Sequence, residues 1–203
     1  MSRVKTIIGV TVFCIIIISL SSLFSNNFTS LFNQYRPVLL TGGGDQCLSS
    51  LNKAGVTFKS FGDQGSEMCP IKNGVRVEGF SYTSPSSSFI LSCPTALQLA
   101  KWLKTAKIKS FVHAGTINCR KMRGSDFLSE HSFGTAIDIS QLDGADIRTY
   151  WRSNSQRGQR LAEAAITACK YFSNVLTPDT DKAHHDHFHL DTGLGVGCMS
   201  KKW

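Results

Sequence analysis

The sequence predicts an α+β domain in which helices flank a small antiparallel sheet, behind an N-terminal transmembrane anchor. Two long segments carry apolar residues at helical spacing, and several short segments alternate apolar and polar residues as half-buried strands do. The predicted helices and strands do not alternate regularly, as parallel βαβ units would require. At 203 residues, the chain is long enough for one domain with a hydrophobic core.

The N-terminal segment differs from the rest of the chain. Arg3 and Lys5 precede an uncharged, mostly apolar run at residues 7–24. As a helix this run would be about 27 Å long, which is roughly the hydrocarbon thickness of a bilayer. Because basic flanking residues tend to stay cytoplasmic, we expect residues 1–25 to be an inner-membrane signal anchor, with the domain in the periplasm or another extracytoplasmic space. A cleaved signal peptide, which would leave the domain secreted, is the alternative.

The remaining chain divides into a linker and a domain. Residues 26–44 form a predicted linker that ends in three consecutive glycines, and residues 45–203 form the predicted domain. Asp45 is a suitable N-cap for the first helix. Predicted helices cover residues 46–53, 95–105 and 156–172. Predicted strands cover residues 56–58, 75–77, 110–119, 134–140, 175–176 and 187–191, and a predicted loop covers residues 83–88.

The cysteines agree with export. Cys14 lies within the apolar run, and the other six lie in the predicted domain. An even number of cysteines in an exported domain predicts three disulfides. The absence of a C-x-x-C pair from the sequence disfavours a structural thiolate metal site. Sequence does not determine the pairing, and the one we favour is Cys47–Cys69, Cys119–Cys169 and Cys93–Cys198.

The net charge of +8 limits the classes of partner. A basic exported domain is attracted to anionic surfaces such as cell-wall polymers. A well-solvated surface with no such partner is an equal alternative. The lysines and arginines are scattered and accompany no recognition motif, so nucleic acid is not an expected partner.

Four of the six histidines lie in the stretch HHDHFHLD at residues 184–191. In a strand, His187, His189 and Asp191 share one face, while Phe188 and Leu190 point to the other face and can enter the core. This arrangement suits metal ligands held on a rigid element. The alternative is a histidine-rich tract that binds metal only weakly.

A second polar stretch, SEHSFGTAID, occupies residues 129–138. His131 and Asp138 are an odd number of positions apart and would face opposite ways in an unbroken strand, so a turn at Gly134 is needed to bring them together. Ala136, on the same face as Asp138, leaves room above the strand. Two imidazoles and one carboxylate would leave the fourth position of a zinc ion open to water, as in catalytic zinc sites.

The two stretches resemble the motifs of a known superfamily. The first is similar to the S-x-H-x-x-G-x-A-x-D motif of the LAS zinc metallopeptidases, which include lysostaphin-type enzymes, D-Ala-D-Ala metallopeptidases and the sonic hedgehog domain. The H-x-x-H-x-H spacing of the second resembles the zinc carboxypeptidase and penicillin-insensitive murein endopeptidase branches. Together with Cys119-Arg120, they look most like the bacterial extensin-like C-terminal domain family, over roughly residues 45–198.

The resemblance implies roles for particular residues. The zinc ligands would be His131, Asp138 and His189, so the predicted sheet would carry a zinc site. His187 would be the general base, and His184 would lie near the water or the substrate. Some relatives use a glutamate as base, but this chain has only Asp186 in that region, and strand alternation would place it on the opposite face.

A cation near the zinc would stabilise the oxyanion that forms during peptide hydrolysis. Arg120 is the candidate for this role. The alternative is that Arg120 is a structural partner for Glu130 or Asp126.

The function that follows is a zinc-dependent peptidase that cleaves peptidoglycan stem peptides or cross-links. Its partners would be peptidoglycan peptides or another anionic cell-wall component, and the membrane through the N-terminal helix. One alternative is a non-catalytic cell-wall-binding or scaffolding domain that zinc stabilises. Adventitious metal capture by a disulfide-rich domain is a third possibility.

Overall fold

The computed structural model describes residues 44–195 and 197–198. The predicted anchor at residues 1–25, and all of the predicted linker except its last residue, lie outside these ranges. Within the ranges described, no helix combines the length and the apolar character that a bilayer span needs.

The described part of the chain contains four α-helices: α1 (Gly44–Lys53), α2 (Cys93–Thr105), α3 (Ile147–Tyr150) and α4 (Gln156–Ala168). Helix α2 begins at Cys93, ahead of the predicted start, because Pro94 fits a first turn, where a missing N–H breaks no helical hydrogen bond. Ser155 caps α4 by accepting a hydrogen bond from the N–H of Gly158. Helix α4 ends at Ala168 rather than at residue 172.

The same residues contain ten strands: β1 (Val56–Gly65), β2 (Pro70–Phe80), β3 (Ser84–Pro85), β4 (Phe89–Ser92), β5 (Ser110–Gly115), β6 (Ala136–Leu142), β7 (Ala145–Asp146), β8 (Asn174–Leu176), β9 (Phe188–Asp191) and β10 (Gly197–Cys198). They form two sheets. The first is antiparallel, in the order β1-β2-β4. The second has seven strands in the order β10-β8-β9-β6-β5-β3, with β7 paired to β6.

The predicted α+β class is confirmed, but the prediction of one small antiparallel sheet is wrong in two respects. A second sheet exists, because β1 and β2 continue well beyond the short apolar segments that predicted them. Most β1 residues after Val56 are exposed, so the alternation that marks a strand fades while the backbone pairing continues. In addition, the seven-stranded sheet has parallel pairs at its edges, β3 with β5 and β10 with β8.

One face of β9 packs into the hydrophobic core. Phe188 and Leu190 are fully buried, as the alternation predicted. The ring of Phe188 packs edge-on against Trp151, with 5.2 Å between ring centroids. Trp102, on α2, donates a hydrogen bond from its indole N–H to the carbonyl of Ala164 on α4. Two helices and the site-bearing sheet therefore share one packed interior.

Three disulfides are present, but the predicted pairing is wrong. The bonds are Cys47–Cys93, Cys69–Cys119 and Cys169–Cys198. Cys47 and Cys93 lie in the main hydrophobic core, whereas Cys69 lies in a separate small cluster with Leu128 and Phe133. A disulfide requires a Cα–Cα distance of about 5.5–6 Å, so cysteines of the same packed region are the ones that pair. The cysteine that reaches Cys47 is instead Cys93, at the start of α2 (Cα–Cα 6.1 Å).

Candidate metal centre

Two backbone features bring the predicted ligands together. In the antiparallel pair of β6 and β9, Asp138 lies directly opposite His189, and opposing side chains share a face of the sheet. His131 lies in a 3-10 turn, Glu130–Phe133, just before β6. That turn ends at Gly134, whose φ of 66° is left-handed. Glycine adopts this conformation without the steric cost that other residues incur, so the predicted turn at Gly134 is confirmed.

The three candidate ligands converge on one point. Nε2 of His131 lies 3.1 Å from Nδ1 of His189 and 3.2 Å from Oδ2 of Asp138. Nδ1 of His189 lies 2.9 Å from Oδ1 of Asp138. One ligand atom from each residue falls within 4.8 Å of the other two. Both histidines are buried, so the cluster is shielded from water except on the side of Asp138.

Hydrogen bonds on the side away from the cluster determine which nitrogen of His131 and of His189 carries the lone pair. Nδ1 of His131 lies 3.2 Å from the carbonyl of Thr116 and must donate to it. Nε2 of His189 lies 2.9 Å from Oδ2 of Asp191 and donates to that carboxylate. In the neutral tautomers these contacts select, both facing nitrogens are acceptors. Two imidazole lone pairs and a carboxylate pointing at one another require a cation between them, either a proton or a metal ion.

The donor set could hold a metal ion, and a tetrahedral zinc ion gives distances for comparison. Donor atoms about 2.0–2.1 Å from such an ion lie about 3.3 Å from one another, close to the separations of 3.1 and 3.2 Å around Nε2 of His131. Metal-binding histidines usually donate their other N–H to a carboxylate or a carbonyl. Asp191 and Thr116 provide one partner of each kind.

The pKa values of His189 and Asp138 also indicate that the cluster favours a positive charge. Burial acts to lower the pKa of His189, but hydrogen bonds to Asp138 and Asp191 outweigh it and raise that pKa to about 9. Burial likewise opposes ionisation of Asp138, yet hydrogen bonds with His131 and His189 hold its pKa below the usual range. Both shifts favour a positive charge at His189 beside the carboxylates of Asp138 and Asp191.

His187 lies beside the cluster and has its own carboxylate partner. Its Nε2 is 3.6 Å from Oδ1 of Asp138, and its Nδ1 is 2.8 Å from Oδ1 of Asp186. The expectation that Asp186 faces away is wrong, because β9 begins only at Phe188 and strand alternation does not apply before it. The hydrogen bond from His187 lowers the pKa of Asp186.

His184 completes the group of four imidazoles. Its ring centroid lies 5.3 Å from that of His187 and 5.6 Å from that of His189. Nδ1 of His184 is 2.8 Å from Oδ1 of Asp181. Burial lowers the pKa of His184, and Asp181 partly opposes this. These distances place the ring of His184 beside His187 and His189, and its predicted position near the water or the substrate stays a prediction.

Arg120 differs from the other predicted site residues. Its main chain is tied to the turn that carries His131, because its carbonyl accepts hydrogen bonds from Ser129 and Ser132. Its side chain is exposed, and the guanidinium donates to the carbonyl of Lys121. Lys121, rather than Arg120, forms the ion pair with Asp126. The oxyanion role of Arg120 stays a prediction.

Four further residues orient the site: Thr116, Asp181, Asp186 and Asp191. Strand alternation predicted that Asp191 shares the face of His189, but not that it would hold the His189 ring. Thr116, Asp181 and Asp186 lie outside regular strands, where no periodicity indicates the direction of a side chain or a carbonyl.

An α+β domain in which His131, Asp138 and His189 could hold a metal ion belongs to the class of candidate metalloproteins. Its family is shown by comparison with known proteins. The model of the family described as extensin-like protein C-terminus matches residues 45–198, and the chain belongs to that family. No curated protein matches the chain, and no solved structure does.

Proposed function

We propose that the protein is a zinc-dependent peptidase that hydrolyses peptide bonds in peptidoglycan stem peptides or cross-links. One observation carries the proposal. Three ligand atoms, from His131, Asp138 and His189, converge with lone pairs inward, and Nε2 of a fourth residue, His187, lies 3.6 Å from a ligand oxygen. The resemblance of both motifs to the LAS zinc metallopeptidases supports the choice of zinc and the class of substrate.

The ligands would be His131, Asp138 and His189, leaving a position for water or a substrate carbonyl. Bound zinc would lower the pKa of a coordinated water and polarise the carbonyl that is attacked. Asp191 and the carbonyl of Thr116 would keep the two imidazoles oriented by holding their outer N–H groups.

His187 would move the proton. Its Nδ1–H donates to Asp186, so its Nε2 is left with the lone pair on the side of Asp138. That nitrogen would accept the proton of the attacking water and then donate it to the leaving amine, as a general base and acid. Asp186 would fix the tautomer and the direction of the ring throughout. The chemistry is therefore metal-assisted hydrolysis of an amide: water adds to the carbonyl carbon, the C–N bond breaks, and the protonated amine leaves.

The proposed location is outside the cytoplasmic membrane, with residues 1–25 as an anchor or a cleaved signal. Three disulfides support an oxidising compartment. The proposed partners are peptidoglycan peptides or another anionic wall component.

The test uses purified peptidoglycan and defined muropeptides, with products identified by mass spectrometry. We expect new peptide ends with the zinc-loaded protein, loss of cleavage with a chelator, and recovery when zinc is returned. His187→Ala should reduce the rate by about 10²–10⁴-fold, the usual contribution of a general base, while the zinc content stays at about one ion per chain. His113→Gln is the matched control, because His113 forms its hydrogen bond with Ser87.

Two results would contradict the proposal. If wild type and His187→Ala bind sacculi equally and neither cleaves them, the domain is a non-catalytic wall-binding module. If zinc binds without a fixed stoichiometry, and His131→Ala or Asp138→Ala leaves its binding unchanged, the metal is captured adventitiously.

A further inference from the structure

The two histidines of the candidate metal centre lie on separate segments of the chain. His131 belongs to the 3-10 turn Glu130–Phe133, and His189 belongs to β9, after which the chain continues through Thr192 and Gly193. Metal ligands must be held to within about 0.5 Å of their working positions. The relative position of the two histidines therefore depends on what holds the turn against the chain that leaves β9.

One contact between the two segments is a main-chain hydrogen bond. The N–H of Thr192 donates to the carbonyl of Thr135, at 3.0 Å. Thr135 in turn bonds back to the start of the turn, because its N–H and its hydroxyl both donate to the carbonyl of Glu130, at 3.2 and 3.0 Å. The chain that leaves β9 is thus bonded to a residue that itself closes the turn of His131.

The side chain of Glu130 makes the second contact between the segments. Glu130 is 5% exposed, and its Oε2 accepts a hydrogen bond from the hydroxyl of Thr135. The carboxylate lies directly against the main chain of Gly193, where an added Cβ would overlap Oε1 and Cδ of Glu130. Gly193 does not have a left-handed φ. Close approach of the two segments, rather than backbone conformation, therefore requires glycine at this position.

Gly193 is connected to the other histidine ligand. Its N–H donates to Oδ1 of Asp191, at 2.9 Å, and Oδ2 of the same carboxylate lies 2.9 Å from Nε2 of His189. A shift of Gly193 would move the carboxylate that orients His189. Because Glu130 directly precedes His131, its carboxylate lies between the supports of the two ligands.

We propose that Glu130 is a positioning residue of the metal centre, and that its carboxylate, seated against Gly193, sets the separation of His131 and His189. Glu130 acts through the two segments and would not touch the metal. Burying a carboxyl group costs free energy that an apolar side chain of similar size would not, which favours a role in the site over a purely structural one. The inference rests on the metal binding of the proposed function, but not on peptide hydrolysis.

The experiment measures zinc affinity of the full-length protein by competition with a chromophoric chelator, and urea unfolding of the metal-free protein. Gly193→Ala should weaken zinc binding by at least about 10-fold, the usual loss when an outer support is disturbed, because the new methyl group displaces Glu130. Glu130→Ala should lose a similar amount. Glu130→Gln should keep most of the affinity, since it retains the size and an acceptor oxygen for Thr135. Gly79→Ala is the control, because a Cβ at this glycine of β2 would meet nothing within 4 Å.

The double variant Glu130→Ala/Gly193→Ala tests the contact itself. With Glu130 shortened, the methyl group at position 193 enters the vacated space, so it should lower the zinc affinity by less than about a further 2-fold. Independent effects would multiply to about 100-fold. Co²⁺ in place of zinc provides a second readout, because its visible spectrum reports ligand geometry. The spectrum should change in both single variants and stay unchanged in Gly79→Ala.

Multiplied losses in the double variant, or an unchanged zinc affinity in Gly193→Ala, would overturn the inference. Equal losses in Glu130→Gln and Glu130→Ala would also overturn it. Lower stability of the metal-free variants, with zinc affinity and the Co²⁺ spectrum unchanged, would assign Glu130 a purely structural role. A wild type that holds no stoichiometric zinc would refute the proposed function and this inference together. Stoichiometric zinc and the expected variant losses, without hydrolysis by the wild type, would refute the peptidase alone.

Discussion

Asp191 accepts hydrogen bonds from three groups, and they connect the candidate metal centre to the surrounding backbone. Its Oδ2 bonds to Nε2 of His189, while its Oδ1 accepts from the side-chain amide of Asn174 and from the N–H of Gly193. These contacts hold the carboxylate, and the carboxylate in turn holds the imidazole. The orientation of one ligand therefore depends on a residue that would not touch the metal.

Asp191→Asn should weaken zinc binding by about 10–100-fold, the usual effect of losing such an outer partner. The asparagine side chain can donate an N–H to Nε2 of His189. That contact would favour the tautomer of His189 that carries its proton on Nδ1, the atom that faces the cluster. Competition against a chromophoric chelator measures the affinity. Asp138→Asn, which changes a proposed ligand itself, should lose far more. Asp63→Asn, at an ion pair with Lys72 between β1 and β2, should lose nothing. An unchanged affinity in Asp191→Asn would show that the contact does not orient the ligand.

At the scale of elements, the turn before β6 decides whether His131 reaches the site. Gly134 has a left-handed φ of 66°, and a Cβ there would lie 3.2 Å from both Cγ2 of Ile71 and the backbone nitrogen of Ser92. Gly144 also has a left-handed φ, of 75°, but a Cβ there would meet nothing within 4 Å. Both glycines have a left-handed φ, and they differ in whether neighbouring atoms lie close to the added Cβ. They therefore form a matched pair.

Both substitutions to alanine should destabilise the fold, by different amounts. Gly144→Ala should cost about 1–2 kcal/mol, the penalty of a left-handed residue. Gly134→Ala should cost more, because the new methyl group also crowds Ile71 and Ser92, and it should weaken zinc binding by displacing His131. Urea unfolding of the metal-free protein measures the first effect, and chelator competition measures the second. Equal destabilisation by the two variants would mean that the neighbours of Gly134 move aside freely.

The direction of side chains was predicted correctly where buried residues recur at a regular interval along a strand. It was predicted wrongly, or not at all, where no such interval exists. Burial of Phe188 and Leu190 imposes a two-residue period on β9, and that period correctly placed His189. The odd separation of His131 and Asp138 required a turn, and glycine at position 134 supplied it. Asp186 was misplaced because the strand starts after it. The full length of β1 was missed because its exposed residues carry no apolar alternation.

At the scale of the whole molecule, the disulfide Cys69–Cys119 connects the two sheets near the candidate site. Cys69 precedes β2 of the first sheet, and Cys119 follows β5 of the second. Cys69 also packs in a small buried cluster with Leu128 and Phe133. Next to Cys119, the N–H of Asn118 donates to the carbonyl of His131. The bond therefore fixes the segment against which the ligand-bearing turn rests.

The disulfide Cys169–Cys198 provides the contrast, because it joins the end of α4 to the edge strand β10. Removing either bond as a double serine variant should cost about 2–5 kcal/mol of stability, since the closed loops span 50 and 29 residues and their entropy differs little. Of these two bonds, only Cys69–Cys119 lies beside a segment bonded to the turn of His131, so only its loss should also weaken zinc binding. Denaturant unfolding and zinc competition on the two double variants separate the effects. If both variants lose zinc affinity equally, the site depends on global stability, and the local brace inferred from Asn118 and His131 does not exist.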